Sequence, residues 1–321
     1  MTALAVIVLG VSGVDFIRAA DYPTKPVTLI IGAAPGGSID IYGRFFATVA
    51  EKYLGQPVVP MNKEGAGGMV GLREGVRAAP DGYTFTVIST GATIVIESEI
   101  SKGRKPPFTR LDFIPIGSWA KSPIVIIVPY GSPWKTLGDL IKDCKDKPGH
   151  YSFCSGGAFS MSHLPAAILV KAAGIKVRHV PYPQASPCLA SIVGGHVDFA
   201  TQFPTTSIPL ARGNKVRILA VQDNQRHKSL PNVPSVKELG VDALFTAWQG
   251  IGVPKQTPQP IVEKLKEVFK KTVEDRSFID MVEKTGDEVH PMIGDEVAQY
   301  WQNESEMLGK IFKELVKEET K

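Results

Sequence analysis

Residues 27–46 have the sequence VTLIIGAAPGGSIDIYGRFF. The apolar run predicts a buried strand, Gly36 and Gly37 predict a turn, and Ser38 predicts the start of a helix. A helix start leaves backbone N–H groups unpaired and carries the positive end of the helix dipole. This turn is therefore a candidate anion site without a cationic side chain, although the same turn also serves plain packing in other α/β proteins.

A second strand-glycine-helix unit follows in the other half of the chain. It consists of a strand at Tyr151–Cys154, the turn Ser155–Gly157, and an apolar helix at Leu164–Ala173 with serines crowded at its start. Elsewhere strands and helices alternate, which predicts parallel sheets whose ligands lie beyond the carboxyl ends of the strands. The turns at 62–68 and 89–92 are expected on the same edge as the first turn.

Two extended crossings, at Lys121–Pro123 and at Val216–Val221, predict a two-lobed α/β fold. We expect residues 21–121 and 222–321 to form lobe 1 and residues 122–221 to form lobe 2. The two crossings would form a hinge, with the loop ends of the lobes facing each other across a cleft. Closure of such a cleft supplies donors from both lobes and excludes water from the ligand.

Residues 1–20 differ in composition from the rest of the chain. The apolar run Leu4–Val11 and the pair Ala19-Ala20 predict an export signal peptide, with a buried first strand or helix as the alternative. No cysteine lies near the N-terminus, so we expect no lipid anchor, and no later run reaches the ~18 apolar residues of a membrane helix. The sequence therefore predicts an exported, soluble, monomeric protein of the periplasm.

The composition and the absence of certain motifs argue against several other classes of protein. The formal net charge is +4 and basic residues lie beside acidic ones, so no nucleic-acid binding is expected. No G-x-S-x-G, H-E-x-x-H or G-K-[ST] motif is present, and Ser160 and His163 lack an evident acid, so we expect no enzyme and no catalytic residue. Without a C-x-x-C motif, no metal site or cofactor is expected. Cys154 and Cys188 either form a disulfide or are small buried residues.

Nine short motifs follow one another at Tyr22–Pro26, Pro35–Asp40, Asn62–Gly68, Ala79–Thr84, Ser155–Leu164, His179–Tyr182, Gly194–Asp198, Arg217–Val221 and Trp248–Gly250. In this order they resemble the Bug (TctC-like) family, the periplasmic solute receptors of tripartite tricarboxylate transporters, over essentially the whole mature chain. The resemblance implies a venus-flytrap fold of the type II periplasmic-binding-protein class. It also implies high-affinity binding of a small organic carboxylate, such as a di- or tricarboxylate or an aromatic carboxylate, and its delivery to membrane permease subunits made by other chains. We expect a mono- or dicarboxylate held by backbone donors.

The resemblance further implies which loops hold the ligand. Each lobe approaches one end of it, through backbone N–H and hydroxyl groups that bind a carboxylate. The implied ligand-binding residues are Pro35, Gly36, Gly37, Ser38, Asp40, Ser89 and Thr90 in lobe 1, and Ser155, Gly156, Gly157, Ser160, His163, Tyr182, Gln184, Ala185, Thr201 and Gln202 in lobe 2. A ligand-sensing subunit of a signalling system would use the same cleft, and the sequence leaves this alternative open.

Several of these residues have a second interpretation. Ser38 and Ser160 either donate to the ligand carboxylate or only cap their helices. Asp40 repels an anion unless it holds water or a polar group, so it either orients the site or caps its helix. The last motif, Trp248–Gly250, either reaches the cleft or packs the Trp248 indole in the core. We expect the Gly156 N–H to approach the ligand, so that Gly156→Val weakens binding more than stability.

The second lobe departs from the family where it borders the ligand. Proline residues stiffen the segment Pro183–Pro187, where the family has a glycine, and a helix is predicted only from Cys188 to Val193. Tyr182 and Gln184 either line the cleft or lie on a surface loop. His163 either makes a structural hydrogen bond or touches the ligand.

Overall fold

The computed structural model describes residues 22–158 and 160–319, of which 314–319 are described by backbone alone. The predicted signal peptide at 1–20 lies outside the described residues. The described chain forms two mixed α/β sheets, as the sequence predicts. Their strands, in chain order, are β1 (Val27–Ile31), β2 (Val58–Asn62), β3 (Thr84–Ser89), β4 (Phe113–Pro123), β5 (Val125–Pro129), β6 (Ser152–Ser155), β7 (Arg178–Pro181), β8 (Phe199–Gln202), β9 (Val216–Val221), β10 (Thr246–Pro254) and β11 (Met292–Ile293).

Helices connect most of the strands. In chain order they are α1 (Ser38–Leu54), α2 (Met69–Arg77), α3 (Thr90–Ser101), α4 (Leu137–Asp146), α5 (Leu164–Ala173), α6 (Ala185–Val193), α7 (Pro204–Arg212), α8 (Gln259–Glu274), α9 (Arg276–Thr285) and α10 (Asp295–Glu319). None of the helices in the described part of the chain combines the length and the apolar character that crossing a bilayer requires.

The two sheets are built on the same plan. In the first sheet, with the order β11-β4-β10-β3-β1-β2, the strands β2, β1 and β3 are parallel and β10 is antiparallel to its neighbours. In the second sheet, with the order β7-β6-β8-β5-β9, the strands β7, β6 and β8 are parallel and β5 is antiparallel to its neighbours. The helices α1, α3, α6 and α7 therefore all begin just beyond the carboxyl ends of parallel strands.

The chain passes between the sheets twice. Only Ile124 separates β4 from β5, and the segment 222–245 separates β9 from β10. Val236 and Ala243 of this segment pack with Leu219 in the core of the second sheet. Lobe boundaries at 121/122 and 221/222 are compatible with these crossings and stay a prediction.

An aromatic core holds α1 against the first sheet. The Trp119 ring stacks on Tyr42, Phe46 and Phe269, with centroid distances of 6.3, 5.5 and 6.1 Å. All four side chains are fully buried, and each aromatic pair adds about 1 kcal/mol beyond the apolar area it covers. This packing fixes the axis of α1 and thereby the position of its N-terminus.

The glycine-rich turn after β2 packs directly on the end of β1. A Cβ atom on Gly71 would lie 2.8 Å from the Cα of Gly32, and Gly68 has a φ of +99°. Both positions therefore require glycine, one for close backbone contact and one for its left-handed conformation. The contact brings this turn to the same edge as the start of α1.

Candidate functional site

Three helices whose starts reach the cleft have no side-chain cap. Their N-cap residues are Gly37 for α1, Gln184 for α6 and Phe203 for α7, and none of these side chains accepts a hydrogen bond from the first turn. Ser89, in contrast, caps α3 by accepting from the Gly91 N–H at 3.1 Å. Uncapped first turns favour anions, and here they come from both sheets.

The helix predicted from Cys188 begins earlier, at Ala185. That prediction was wrong because it treated the segment between the prolines as a stiff loop. Pro187 instead stands in the first turn, where its missing N–H removes no intrahelical hydrogen bond. The earlier start brings the N-terminus of α6 to lobe 1, because Ser186 Oγ donates to the carbonyl oxygen of Pro35 at 3.2 Å.

Two small cavities lie side by side in the cleft and share Ala33, Ile39, Met161, Ser162 and Ala185. The deep cavity, of about 70 Å³, adjoins the first crossing and is also lined by Gly37, Ser38, Ile124, Ser186, Leu189, Thr201, Gln202, Phe203 and Thr206. The outer cavity, of about 80 Å³, is also lined by Gly32, Gly67, Gly68, Leu72, Val87, Ser89, Gly91, Ala92, Gly156, Ser160 and Gln184. Among the described residues, no charged side chain lines either cavity.

A wider vestibule of about 570 Å³ opens beyond the outer cavity, with which it shares Gly67, Gly156 and Gln184. The predicted site residues divide among these spaces. Those that line the deep or outer cavity are Gly37, Ser38, Ser89, Gly156, Ser160, Gln184, Ala185, Thr201 and Gln202. Gly157 and Tyr182 line the vestibule, whereas Pro35, Gly36, Asp40, Thr90, Ser155 and His163 line none of the three.

Asp40 stabilises the loop that precedes α1 from a position outside the cavities. Its carboxylate accepts from the Gly36 N–H at 3.0 Å, from Arg44 Nε at 2.9 Å and from Asn62 Nδ2 at 2.9 Å. Burial alone would raise the pKa of Asp40, but the hydrogen bonds from Arg44, Asn62 and Gly36 lower it below its usual value. Asp40 therefore stays ionised and orients the loop from outside the cavities, one of the two roles the sequence leaves open.

Thr90 faces the core rather than the cleft. Its hydroxyl donates to Glu304 Oε1 and accepts from the Trp248 N–H, and Trp248 Nε1 donates to the same carboxylate at 2.8 Å. The Trp248 indole is fully buried, which settles its two interpretations in favour of core packing. Thr90 therefore positions the start of α3 beneath Ser89.

Ser155 and His163 lie behind the glycine turn of the second lobe. Ser155 Oγ donates to the Gly157 carbonyl at 2.9 Å and lies 2.6 Å from His179 Nε2. The His163 ring packs against Phe153 and lies 4.3 Å from the His179 ring. Burial, together with the neighbouring His179, lowers the pKa of His163 to about 4, so this ring is neutral at pH 7.

The Gly156 N–H is already engaged within the second lobe. It donates to Ser162 Oγ at 2.9 Å, so the reason given for the Gly156→Val prediction was wrong. A Cβ atom at Gly156 would also lie 2.8 Å from the Ala185 nitrogen and displace the start of α6. Ser162 lines both cavities beside Ser160, and sequence reasoning had not assigned it to the site.

Gln249 is a second residue to which sequence reasoning assigned no role of its own, beyond its place in the motif Trp248–Gly250. Its Nε2 donates to Ser38 Oγ at 2.9 Å, and its Oε1 is buried with no partner among the described residues. In the sheet it lies opposite Ser89. Gln249 therefore ties the first turn of α1 to the end of β3. The sequence contained a signal for this position. Side chains alternate between the two faces of a strand, so a Trp248 side chain in the core predicts that Gln249 faces the other way.

Cys154 and Cys188 form a disulfide, as one of the two interpretations predicted. The bond joins the end of β6, just before the glycine turn, to the first turn of α6. Gln202, at the end of β8, donates to Cys188 Sγ at 3.7 Å. Three cavity-lining segments of the second lobe are thus connected behind the cavity wall.

The fold and the cleft together define a class of protein. Two α/β lobes joined by two crossings enclose small cavities, and the walls combine apolar side chains with neutral hydrogen-bonding groups. This is the arrangement of a two-domain solute-binding protein, which closes on a ligand between its lobes.

Comparison with known proteins identifies the family. The family model described as the tripartite tricarboxylate transporter family receptor, TctC, matches residues 43–316, and the chain belongs to this family. A Cupriavidus necator protein from the gbd 5' region is 32% identical over 305 residues, which cover 93% of this chain and 90% of that protein. Both the predicted family and the predicted two-lobed fold are thereby confirmed.

Two solved structures are similar over nearly the whole described fold. The periplasmic binding protein BugD is 28% identical with a TM-score of 0.85, covering 91% of this chain and 98% of that one. A protein of R. palustris solved with adipate is 25% identical with a TM-score of 0.86, covering the same shares of 91% and 98%.

Proposed function

We propose that this chain is an exported, monomeric receptor of the periplasm that captures a small organic carboxylate between its lobes. It then delivers the carboxylate to the permease subunits of a tripartite tricarboxylate transporter. One observation carries the proposal: uncapped helix starts from both sheets adjoin cavities in whose lining the described residues place no charged side chain. Family membership and the relative solved with adipate support a carboxylate as the ligand.

In this proposal the ligand is held by amide and hydroxyl groups. Helix N-termini bind carboxylates through backbone N–H groups, and each such charge-assisted bond is roughly twice as strong as a neutral one. The proposed polar contacts are the outer-cavity residues Ser89, Ser160, Gln184 and Ala185, with Ser162 added from the structure, whereas Gly37 and Ser38 border the deep cavity. Asp40, Thr90, Ser155 and His163 support the loops that carry them.

The proposal includes no chemical step. Ser155 and His179 form a candidate pair of nucleophile and base, but Ser155 is fully buried and its hydroxyl donates to the Gly157 carbonyl. Because the hydroxyl has only one hydrogen, His179 must donate to Ser155 Oγ. A base that activates a nucleophile has to accept the hydroxyl hydrogen instead. Binding without turnover is therefore the function we propose.

A thermal-shift screen of the exported chain tests the ligand class. Aliphatic and aromatic carboxylates are expected to raise the melting temperature, whereas amines and neutral sugars of similar size are not, because a ligand that binds only the folded state stabilises it. A rise with an amine or a sugar and with no carboxylate would end the proposal.

Uptake measurements separate a receptor from a ligand sensor. Cells that carry the two permease subunits should accumulate a labelled carboxylate only when this chain is present. Unchanged uptake combined with a ligand-dependent transcriptional response would instead support the sensing role.

A further inference from the structure

Three of the five hydroxyl groups around the deep cavity donate their hydrogens within the protein. Thr201 Oγ1 donates to the Ser162 carbonyl at 2.8 Å, and Thr206 Oγ1 donates to the Phe203 carbonyl at 3.1 Å. Ser186 Oγ donates across the cleft to lobe 1. These hydroxyl hydrogens point at carbonyl oxygens and are not offered to a ligand.

Carbon atoms form almost all of the wall that the deep cavity exposes. Its apolar side chains are Ile39, Ile124, Met161, Leu189 and Phe203, contributed by both lobes and by the first crossing. The first turn of α1 borders this cavity, yet the surface there is still carbon rather than N–H. An apolar cavity of this kind favours an apolar occupant.

The outer cavity offers hydrogen-bond donors instead. Ser89 Oγ accepts from the Gly91 N–H, which leaves its own hydrogen free to donate into the cavity. Ser160 Oγ and Ser162 Oγ lie 3.4 Å apart on the opposite wall. The uncapped first turn of α6 at Ala185 completes this ring of donors. A carboxylate fits this end of the cleft.

A second carboxylate in the deep cavity would be a buried charge with no cationic side chain beside it among the described residues. Such burial is strongly unfavourable, whereas each buried methylene group is favourable by about 0.8 kcal/mol. The two cavities share Met161 and Ala185, so one small molecule can occupy both. The polarity of the binding site therefore changes along the length of a single ligand, from hydrogen-bond donors in the outer cavity to carbon in the deep cavity.

We infer that the preferred ligand is a monocarboxylate with an apolar tail, such as a short aliphatic or aryl acid. Its carboxylate lies in the outer cavity at the start of α6, and its tail points into the deep cavity toward the hinge. This inference rests on the proposed function and narrows the ligand class to acids with one charge.

Calorimetric titration of matched acids tests the inference on the unaltered protein. Pentanoate should bind at least tenfold tighter than pentanedioate, and each methylene group from propanoate to pentanoate should tighten binding about fourfold. Tighter binding of the dicarboxylates would overturn the inference and leave the proposed function standing. Failure of every carboxylate to bind would end the proposed function itself.

Two variants locate the ends of the ligand. Leu189→Asn should weaken pentanoate more than acetate, because only the longer tail reaches this wall, whereas Ser160→Ala should weaken both acids by the same factor. Leu239→Asn, at an exposed leucine outside the cleft, is the matched control. Equal losses of pentanoate and acetate in Leu189→Asn would contradict the placement of the tail.

Discussion

Asp40 shapes the first loop without facing either cavity. Its carboxylate is nearly fully buried and collects hydrogen bonds from the Gly36 N–H, Arg44 and Asn62. The negative charge is compensated by Arg44, which lies one helical turn further along α1. An anion in the cleft is therefore shielded from a carboxylate that lies close to it in sequence.

Replacing Asp40 tests this anchoring role. Asp40→Ala is expected to lower the free energy of unfolding by about 2–3 kcal/mol, because three donors lose a charged acceptor. Ligand affinity should fall as well, since the loop that carries Gly37 and Ser38 loosens. Urea denaturation and calorimetry measure the two effects. Glu51→Ala, at an exposed position of the same helix, is the control and should change neither.

Glu304 is a fully buried carboxylate beneath the start of α3. Burial raises its pKa to about 7, against the hydrogen bonds from Thr90, Thr93 and Trp248, which lower it. A raised pKa means that the folded protein binds the proton more tightly than the unfolded chain does. The stability due to the protonated form is therefore complete below an ordinary value of 4.5 and is lost as the pH rises through about 7.

Glu304→Gln is expected to remove this pH dependence. Between pH 4.5 and 7, the wild-type free energy of unfolding should fall by up to about 3 kcal/mol more than that of the variant. Urea denaturation at a series of pH values gives the two curves. Glu306→Gln, on an exposed position of α10, should follow the wild type. Parallel curves for Glu304→Gln and wild type would show that this carboxyl group does not titrate in that range.

At the scale of elements, α6 depends on a covalent connection to β6. The disulfide between Cys154 and Cys188 spans 34 residues and fixes the first turn of the helix behind the cavity wall. The prolines of this segment allow the helix to begin early, and the disulfide holds that start against the glycine turn. Position and orientation of the α6 N–H groups are thus set by two separate constraints.

Removing the disulfide should affect both stability and binding. For a loop of 34 residues, Cys154→Ala with Cys188→Ala is expected to lower the free energy of unfolding by about 3–4 kcal/mol. Affinity for the carboxylate should fall in parallel. Dithiothreitol should reproduce both losses in the wild type and have no effect on the double variant. Cys144→Ala, which removes the buried free thiol, should keep the sensitivity to dithiothreitol.

At the scale of the whole molecule, Asp287 lies where the two lobes meet. Its Oδ2 accepts from Tyr42 at 2.8 Å, from Ser122 at 2.9 Å and from Thr205 at 2.8 Å, and His227 Nε2 lies 3.5 Å from Oδ1. Burial alone would raise the pKa of Asp287, yet the hydrogen bonds from His227 and Tyr42 lower it. Helices α1 and α7, the end of β4 and the segment 222–245 therefore share one ionised carboxylate.

Asp287→Ala should loosen the junction of the lobes. We expect the free energy of unfolding to fall by about 3 kcal/mol, because several buried donors are left without an acceptor. Ligand affinity should also fall, since Thr205 adjoins Thr206 in the deep-cavity wall. Urea denaturation and calorimetry test both effects. Asp280→Ala, on the more exposed face of α9, is the control, and equal behaviour of the two variants would contradict a role at the junction.

Much of the site could be predicted from local sequence. Gly36, Gly37 and Ser38 mark the end of a strand and the start of α1, and that prediction is confirmed because the strand and turn signals lie within a few residues of each other, although no side chain caps the helix. The serine-rich turn of the second lobe was recognised on the same grounds. The local prediction that failed concerns the segment Pro183–Pro187, which was expected to be a loop. Proline is equally typical of a loop and of the first turn of a helix.

The contacts of single side chains could not be predicted in the same way. Thr90 and Glu304 are 214 positions apart, and Gln249 and Ser38 are 211 positions apart. Hydrogen bonds of this kind depend on which strands become neighbours, and no local pattern carries that information. The consequence is visible at Thr90, which was expected at the ligand and instead holds α3 in place.

The amino-acid sequence by itself determined the alternating strands and helices, the two glycine turns and the pair of crossings, because each depends on residues that are near one another in the chain. The tertiary structure alone decided which donors remain open in the cleft. Thr201, Thr206 and Ser186 donate their hydrogens to carbonyl groups, and the surface of the deep cavity is almost all carbon, whereas the outer cavity keeps donors for a carboxylate. A hydroxyl group is polar in any sequence, but its availability depends on the partner that folding brings to it.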